Sequence, residues 1–296
     1  HGSVTNRLCA KKQLEPLAAR TFRIHEKWAE SGAKRPMRLS ALQKVLWGFD
    51  CQTYKDFEII IADDGSGQET KDLIKSMQEK VSYDIKHVWQ EDDGFQKCRI
   101  LNKAISVSST EYIIMTDGDC IPREDFVQVH YLNKEPGHFI SGGYYMLPMN
   151  ISNAITSEDI REQNCFDISW LRKKGIPKTF KNNKLTARGF ISKLFNTFTP
   201  TNASWNGHNS SGWKIDILNV NGFDERMQYG GEDREFGERL ANFGIKSKQL
   251  RYSAVCIHLD HERSYRTPEA IAKNMVIRKE VRQKKSVWTY HGIVKQ

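Results

Sequence analysis

A single Rossmann-like α/β domain, built on a mixed, mostly parallel sheet flanked by helices, is the fold class predicted for this 296-residue chain. Three observations predict it. Two short apolar runs, residues 57–62 and 112–116, read as buried strands of a parallel sheet. Each is followed by carboxylates, Asp63-Asp64 in one case and Asp117-Gly118-Asp119 in the other. Open α/β sheets bind ligands at the carboxyl ends of their strands, which is where these acids fall. Helical patterns alternate with the strands, and that order implies parallel pairing through right-handed crossovers.

The elements follow in order. Residues 1–36 are polar and helix-compatible between 11 and 31, and no strand is expected among them. A helix over 38–47 places Leu39, Leu42, Val45 and Leu46 on one face. After the first acid-terminated strand, Gly65-Ser66-Gly67 turns the chain into an amphipathic helix over 69–80. A short strand at 85–88 and a helix over 97–107 lead to the strand before Asp117. Residues 138–148 hold Gly142-Gly143 beside Tyr144-Tyr145. Periodicity weakens from 150 to 204, and the basic stretch 172–193 is expected to form a long excursion or lid. Regularity returns over 213–223, then a helix at 234–243 and a strand at 251–258. A basic helix over 268–285 closes the chain.

Composition narrows the partners. There are 45 lysines and arginines against 36 aspartates and glutamates, a net charge of +9 that favours anionic ligands. The excess is read as concentrated from Arg263 onward. The six cysteines show no CxxC spacing, so neither a zinc nor a disulfide framework is expected, and a reduced compartment fits. No apolar run approaches the roughly 18 residues that a membrane span needs. Without a secretory pattern the expected location is cytoplasmic. The basic helix, with Lys273, Arg278, Lys279, Arg282, Lys284 and Lys285, could rest on the anionic inner face of a membrane. An acidic crevice argues against a nucleic-acid partner, which wants a continuous basic surface.

The acids carry the chemistry. Asp117 and Asp119, one residue apart at a strand end, can hold a hard divalent cation that also binds a diphosphate, although Asp-Gly is equally a turn dipeptide. His258 ends a later strand and His261 follows it; a neutral imidazole can complete a cation site begun by carboxylates. Asp63 and Asp64 can accept hydrogen bonds from a base or ribose, while Ser66 could simply cap a helix. Glu232-Asp233 follows Gly230-Gly231 and opens a helix. Acids there complement the helix dipole, and one of them could serve as a general base.

Taken together these segments resemble the inverting family 2 glycosyltransferases with the A-type nucleotide-sugar fold. The resemblance runs from about Arg35 to Arg266 and rests on several motifs in order. Leu42 to Ser66 (LQKVLWGFDCQTYKDFEIIIADDGS) is similar to the helix, loop and second strand of that fold. His87 to Ala104 (HVWQEDDGFQKCRILNKA) is similar to the next family segment. Asp117-Gly118-Asp119 resembles its DxD metal motif. Val220 to Glu225 (VNGFDE) and Gly230 to Asp233 (GGED) resemble the galactosyltransferase-like segment that chondroitin polymerases also carry.

The resemblance implies a domain organisation and a set of roles. Residues 37–266 form the catalytic domain, between an N-terminal segment 1–36 and a C-terminal helix and tail 267–296. The donor is a nucleoside-diphosphate sugar, UDP-linked by resemblance. Asp63, Asp64, Arg99, Asn102 and Asp117 contact it. Asp119 and His258 hold Mn²⁺ or Mg²⁺. Asp233 is the base, with Glu232 the fallback. Sugar selection is expected near Tyr144, Trp205 and Trp213, with Gly207-His208-Asn209 lining the pocket. The acceptor is a glycan or lipid-linked hydroxyl, as in bacterial surface polysaccharide or lipopolysaccharide synthesis. Family members open with an apolar strand, which 1–36 does not display. A catalytically impaired relative is therefore one competing reading. A sugar-nucleotide nucleotidylyltransferase is another, though the early glycine-rich phosphate loop it needs is absent.

Overall fold

The computed structural model describes residues 21–26, 35–261 and 267–295. Its strands are β1 (Thr21–Glu26), β2 (Glu58–Asp64), β3 (Asp84–Gln90), β4 (Tyr112–Asp117), β5 (Cys120–Pro122), β6 (His138–Met146), β7 (Ser210–Trp213) and β8 (Lys246–His258). They form an eight-stranded sheet in the order β3-β2-β1-β4-β7-β6-β8-β5. The first four are parallel; β7 runs antiparallel to both β4 and β6, and β5 antiparallel to β8. The sheet is mixed, as expected.

The first strand corrects the sequence reading. Thr21–Glu26 lies inside the stretch read as helical, yet it forms β1, paired in parallel between β2 and β4 at mid-sheet. Its sequence, Thr-Phe-Arg-Ile-His-Glu, alternates apolar and polar residues, whereas the expectation was a continuous apolar run. The strand whose absence suggested an impaired relative is therefore in place.

Helices cover both faces. α1 (Arg35–Asp50) and α2 (Gln68–Gln78) lie on one side, and α3 (Lys97–Val107) on the other. Side chains of β2 divide by period two: Ile59 and Ile61 enter the core with Leu42, Leu46 and Ile74, while Ile60 and Ala62 join Ile100, Leu101 and Ile105. β4 divides likewise, Tyr112 and Ile114 against Ile113 and Met115. Burial on both faces is why these two strands read as unbroken apolar runs.

The weakly periodic region, after α4 (Phe126–Asn133), holds short helices: α5 (Met149–Ala154), α6 (Ser157–Arg161), α7 (Ile168–Lys173), α8 (Asn183–Thr186) and α9 (Gly189–Phe198). α10 (Lys214–Asn219) follows β7, and α11 (Glu232–Asn242) precedes β8. α12 (Pro268–Lys284) buries Asn274, Ile277 and Val281, and its Arg278 pairs with Glu238 of α11 at 2.6 Å. No helix among the described residues is long and apolar enough to cross a membrane.

Candidate active site

The register of the parallel strands aligns the acids. Asp63 of β2 lies opposite Glu26, and Asp117 of β4 opposite His25. With neighbouring strands about 4.8 Å apart, the two clusters stand about 10 Å from each other across one sheet edge. Asp63 and Asp64 are fully buried. Asp63 accepts from the Ser66 amide at 2.8 Å, and its other oxygen meets His87 Nε2 at 2.8 Å. Asp64 accepts from Gln90 Nε2 at 2.7 Å and from the Gln96 amide at 2.8 Å. These bonds tie the β2 turn to β3 and to the entry of α3.

Asp119 and His258 are brought together by backbone pairing. β5 runs antiparallel to β8 with Cys120 opposite His258, and the Leu259 amide donates to Asp119 O at 2.9 Å. Asp119 Oδ1 is then 3.9 Å from His258 Nε2, and Oδ2 is 2.7 Å from His261 Nε2. The separation of 3.9 Å is too long for a hydrogen bond, and a shift of under about 1 Å would bring the two atoms to the spacing of adjacent ligands on one ion with bonds of about 2.1 Å. Asp119, Cys120 and His258 offer ligand atoms all within 4.8 Å of one another. A carboxylate and an imidazole fit Mn²⁺ well, and Mg²⁺ through the oxygen. Burial alone would raise the Asp119 carboxyl, but His258 and His261 outweigh it and hold it well below the usual carboxylate range. Tyr144 packs edge-on against His208 at 4.5 Å and tilted against His258 at 5.7 Å. Burial, with repulsion from His258, pushes the His208 imidazole down to about 3.

Lys97 is the centre of the second group. Its Nζ lies 3.3 Å from Asp233 Oδ2, 3.6 Å from Glu232 Oε1 and 3.7 Å from Asp117 Oδ1. This buried ammonium joins the heads of α3 and α11 to the end of β4. Burial would lower its pKa, but Asp233, Asp117 and Glu232 reverse that and raise it well above the ordinary value. Glu232 is itself raised by burial and by Asp233, against the pull of Lys97, and its Oε2 accepts from the Gly230 amide at 2.8 Å. Asp233 is the more open residue of the two, and its Oδ1, itself buried, has no hydrogen-bond partner among the described residues. Among the described residues Asp117 Oδ1 likewise has none, and it lies 3.7 Å from Lys97 Nζ.

Two glycine positions make this packing attainable. Gly231 caps α11 at φ +94°, a left-handed conformation that other residues adopt at a cost. Gly207 leaves space where a Cβ would sit 2.5 Å from Lys97 Nζ and 2.8 Å from Asp233 Oδ2.

Several expected residues lie elsewhere. Arg99 is two positions from Lys97, about 200° around α3, and is exposed on the opposite side. Asn102 is buried, with its amide donating to Phe223 O and Glu225 Oε1 and its oxygen accepting from the Phe223 amide, so it clamps the loop before α11. Asp117 turns to Lys97 and does not join the Asp119–His258 group. Trp205 is fully buried against Phe139 and Phe236, a core residue. Trp213 pairs with Tyr112, at the end of β4 remote from Asp117. Sequence reasoning missed Lys97 altogether. One signal was available: a lysine at the first position of a helix opposes the helix dipole and so calls for nearby anions.

A family model for glycosyl transferase family 2 matches residues 38–192, just over half the chain, and the chain belongs to that family. It is 28% identical over 243 residues to the validoxylamine A glucosyltransferase of Streptomyces hygroscopicus subsp. jinggangensis (strain 5008), covering 77% of this chain and 54% of that protein. It is 26% identical over 212 residues to the chondroitin synthase of Pasteurella multocida (strain Pm70), covering 64% of this chain and 20% of that one. The chain thus spans about half the length of the first relative and a fifth of the second. The mannosyltransferase PcManGT from Pyrobaculum calidifontis, solved with GDP-Man and Mn²⁺, matches with a TM-score of 0.56 at 16% identity. That match covers 89% of this chain and 64% of the mannosyltransferase, and the shared fold is the A-type transferase fold.

Proposed function

We propose that the chain carries out metal-dependent, inverting sugar transfer from a nucleoside-diphosphate sugar to the hydroxyl of a glycan or lipid-linked acceptor. The observation that carries this reading is the gathering of Asp117, Glu232 and Asp233 around one buried lysine, at the sheet edge that also holds Asp119 beside His258. In this reading Asp119 and His258, joined by His261, hold Mn²⁺ or Mg²⁺. The ion when bound supplies a Lewis acid that neutralises the departing diphosphate. Asp63 and Asp64 shape the neighbouring pocket for the nucleoside, taken as uridine by resemblance. Asp233 takes the proton of the acceptor hydroxyl. The hydroxyl oxygen attacks the anomeric carbon from the face opposite the diphosphate, whose C–O bond breaks with the electron pair leaving on phosphate oxygen. Glu232, buried and tied to Gly230, orients the acceptor. Lys97 fixes both acids.

A bacterial surface polysaccharide or lipopolysaccharide is the acceptor class this reading favours, in keeping with the polysaccharide synthase among the relatives. Lys273, Lys279 and Lys285 are exposed on or beside α12 and would serve a peripheral contact with an anionic membrane.

The test is nucleoside-diphosphate release from a panel of UDP- and GDP-sugars, with and without Mn²⁺. At least one donor is expected to be turned over only with metal, and Asp119→Ala should abolish that turnover. No release from any donor, in the presence of glycan acceptors, would overturn the reading.

A further inference from the structure

α9 is built inside out. Its buried positions are Ser192 and Asn196, both polar. Asn196 accepts from the Tyr252 amide at 2.8 Å and donates to Ser253 Oγ at 2.8 Å, and Ser253 in turn reaches Ser192 Oγ at 3.2 Å. The polar side of the helix is thus the side bonded to β8. The apolar side faces outward: Phe190 is 77% exposed, Ile191 55%, Leu194 41% and Phe198 74%. At 100° per residue these four fall within about 100° of helix circumference. Phe180, 70% exposed, lies edge-on to Phe195 of the same helix and extends the patch. Exposed apolar surface gathered in this way marks an interaction site.

The charge around it identifies the occupant. Residues 168–213 contain eight lysines and arginines and no acid, so the basic excess is not confined to the C-terminus. Lys181, Arg188 and Lys193 are exposed on or beside α9. An amphipathic helix with an apolar face and a basic rim suits the headgroup boundary of an anionic bilayer. A second copy docking by the same face would oppose one basic rim to another. By contrast α12 engages Arg278 and Arg282 with Glu238.

We propose that the exposed face of α9, with Phe180, docks the protein on an anionic membrane surface. The placement bears on the candidate site. Ser253, which holds α9, is five residues from His258 along β8, about 17 Å. Lys184 of α8 donates to Tyr144 O at 2.8 Å, next to the ring that packs on His258. A bilayer on this face would bring lipid-linked acceptors to the site's side of the molecule. The docking itself does not depend on the catalytic reading and is measured without donor.

The whole chain is sedimented with vesicles of phosphatidylcholine alone and of phosphatidylcholine mixed with phosphatidylglycerol. Binding to the anionic vesicles only is expected, weakened by high salt. Phe190→Ser with Phe198→Ser should reduce it by about tenfold or more, with thermal midpoint and elution volume unchanged, because both side chains are exposed. Lys181→Glu with Lys193→Glu should also reduce it. Failure to bind anionic vesicles, or full binding by the double-Phe variant, overturns the proposal. So does a change from dimer to monomer in that variant, which would make a second copy the occupant.

Discussion

Lys97 Nζ and Asp233 Oδ2 lie 3.3 Å apart, so the carboxylate at the head of α11 is held by a cation from the first residue of α3. The same ammonium faces Glu232 and Asp117. Two helices and a strand end are thereby fixed by one side chain that is 8% exposed. Replacing it with an apolar residue leaves three carboxylates crowded without a counter-charge. Lys97→Met should destabilise the fold by about 3–5 kcal/mol near pH 7, the usual cost of removing one partner of a buried ion pair. The deficit should shrink toward pH 5, because Glu232, raised by burial and by Asp233, relieves the repulsion by taking up a proton. Denaturant unfolding at the two pH values checks this. A deficit below about 1 kcal/mol at both would show that the cluster does not depend on Lys97.

Asp233 and Glu232 are adjacent but differently placed. Glu232 is buried and accepts from Gly230, while Asp233 is more exposed and keeps one oxygen without a hydrogen-bond partner among the described residues. If Asp233 is the base, Asp233→Asn should lower turnover by about 10²–10⁴-fold and leave donor affinity intact. Wild-type turnover in that variant would remove Asp233 from the mechanism and shift the role to Glu232.

The sheet core was readable because β2 and β4 are buried on both faces, and their acids appear as abrupt polar ends to apolar runs. The bounds of α3 were read correctly at Lys97 and Val107 because its apolar spacing is regular. β1 was hidden by alternation, and β5 by its three-residue length. β7 reads Ser-Ser-Gly-Trp and gives no hydrophobic signal; its buried serines are satisfied by Tyr112, His130 and Asn206. At the site, Asp119 and His258 were placed together by the family resemblance, and they lie 3.9 Å apart. Lys97 was not anticipated, because an isolated lysine usually marks a solvated face. Arg99, by the same logic in reverse, looked like a ligand contact and is on the solvent side.

The Asp119–His258 pair gives a metal prediction. Calorimetry of UDP binding should show affinity that rises with Mn²⁺ in the wild type. In Asp119→Ala and in His258→Ala the metal increment should be lost while any metal-independent binding persists. An increment of normal size in both variants would place the ion elsewhere.

Gly207 offers a subtler perturbation. A methyl there would meet Lys97 Nζ and Asp233 Oδ2, both ends of side chains that can move aside, so the fold should tolerate it. The displaced pair would no longer present Asp233 correctly, and misplacement of about 1 Å can cost on the order of 10²-fold in rate. Gly207→Ala is therefore expected to lose most of its turnover with little change in thermal midpoint. A variant with wild-type kinetics would show that the Lys97–Asp233 contact can relax without consequence.

His130 supplies a pH prediction away from the site. It is a fully buried residue of α4, with Nε2 2.9 Å from Asn209 Oδ1 and Nδ1 2.8 Å from Ser211 Oγ of β7. Asn209 Oδ1 can only accept, so Nε2 carries the proton and Nδ1 accepts from the Ser211 hydroxyl, which in turn accepts from Tyr112. Burial pushes the imidazole down to about 4, against a smaller opposing effect of Asn209. The sign follows from proton counting. Between pH 6.5 and about 4 the unfolded chain binds this proton and the native protein does not, so stability falls as pH is lowered through that window. The loss attributable to His130 approaches about 3 kcal/mol at the lower end. His130→Gln removes the titrating group, so its stability deficit relative to wild type should narrow steadily from pH 6.5 to 4. A deficit that stays constant across that range would mean that His130 is protonated as readily in the native state as in the unfolded chain.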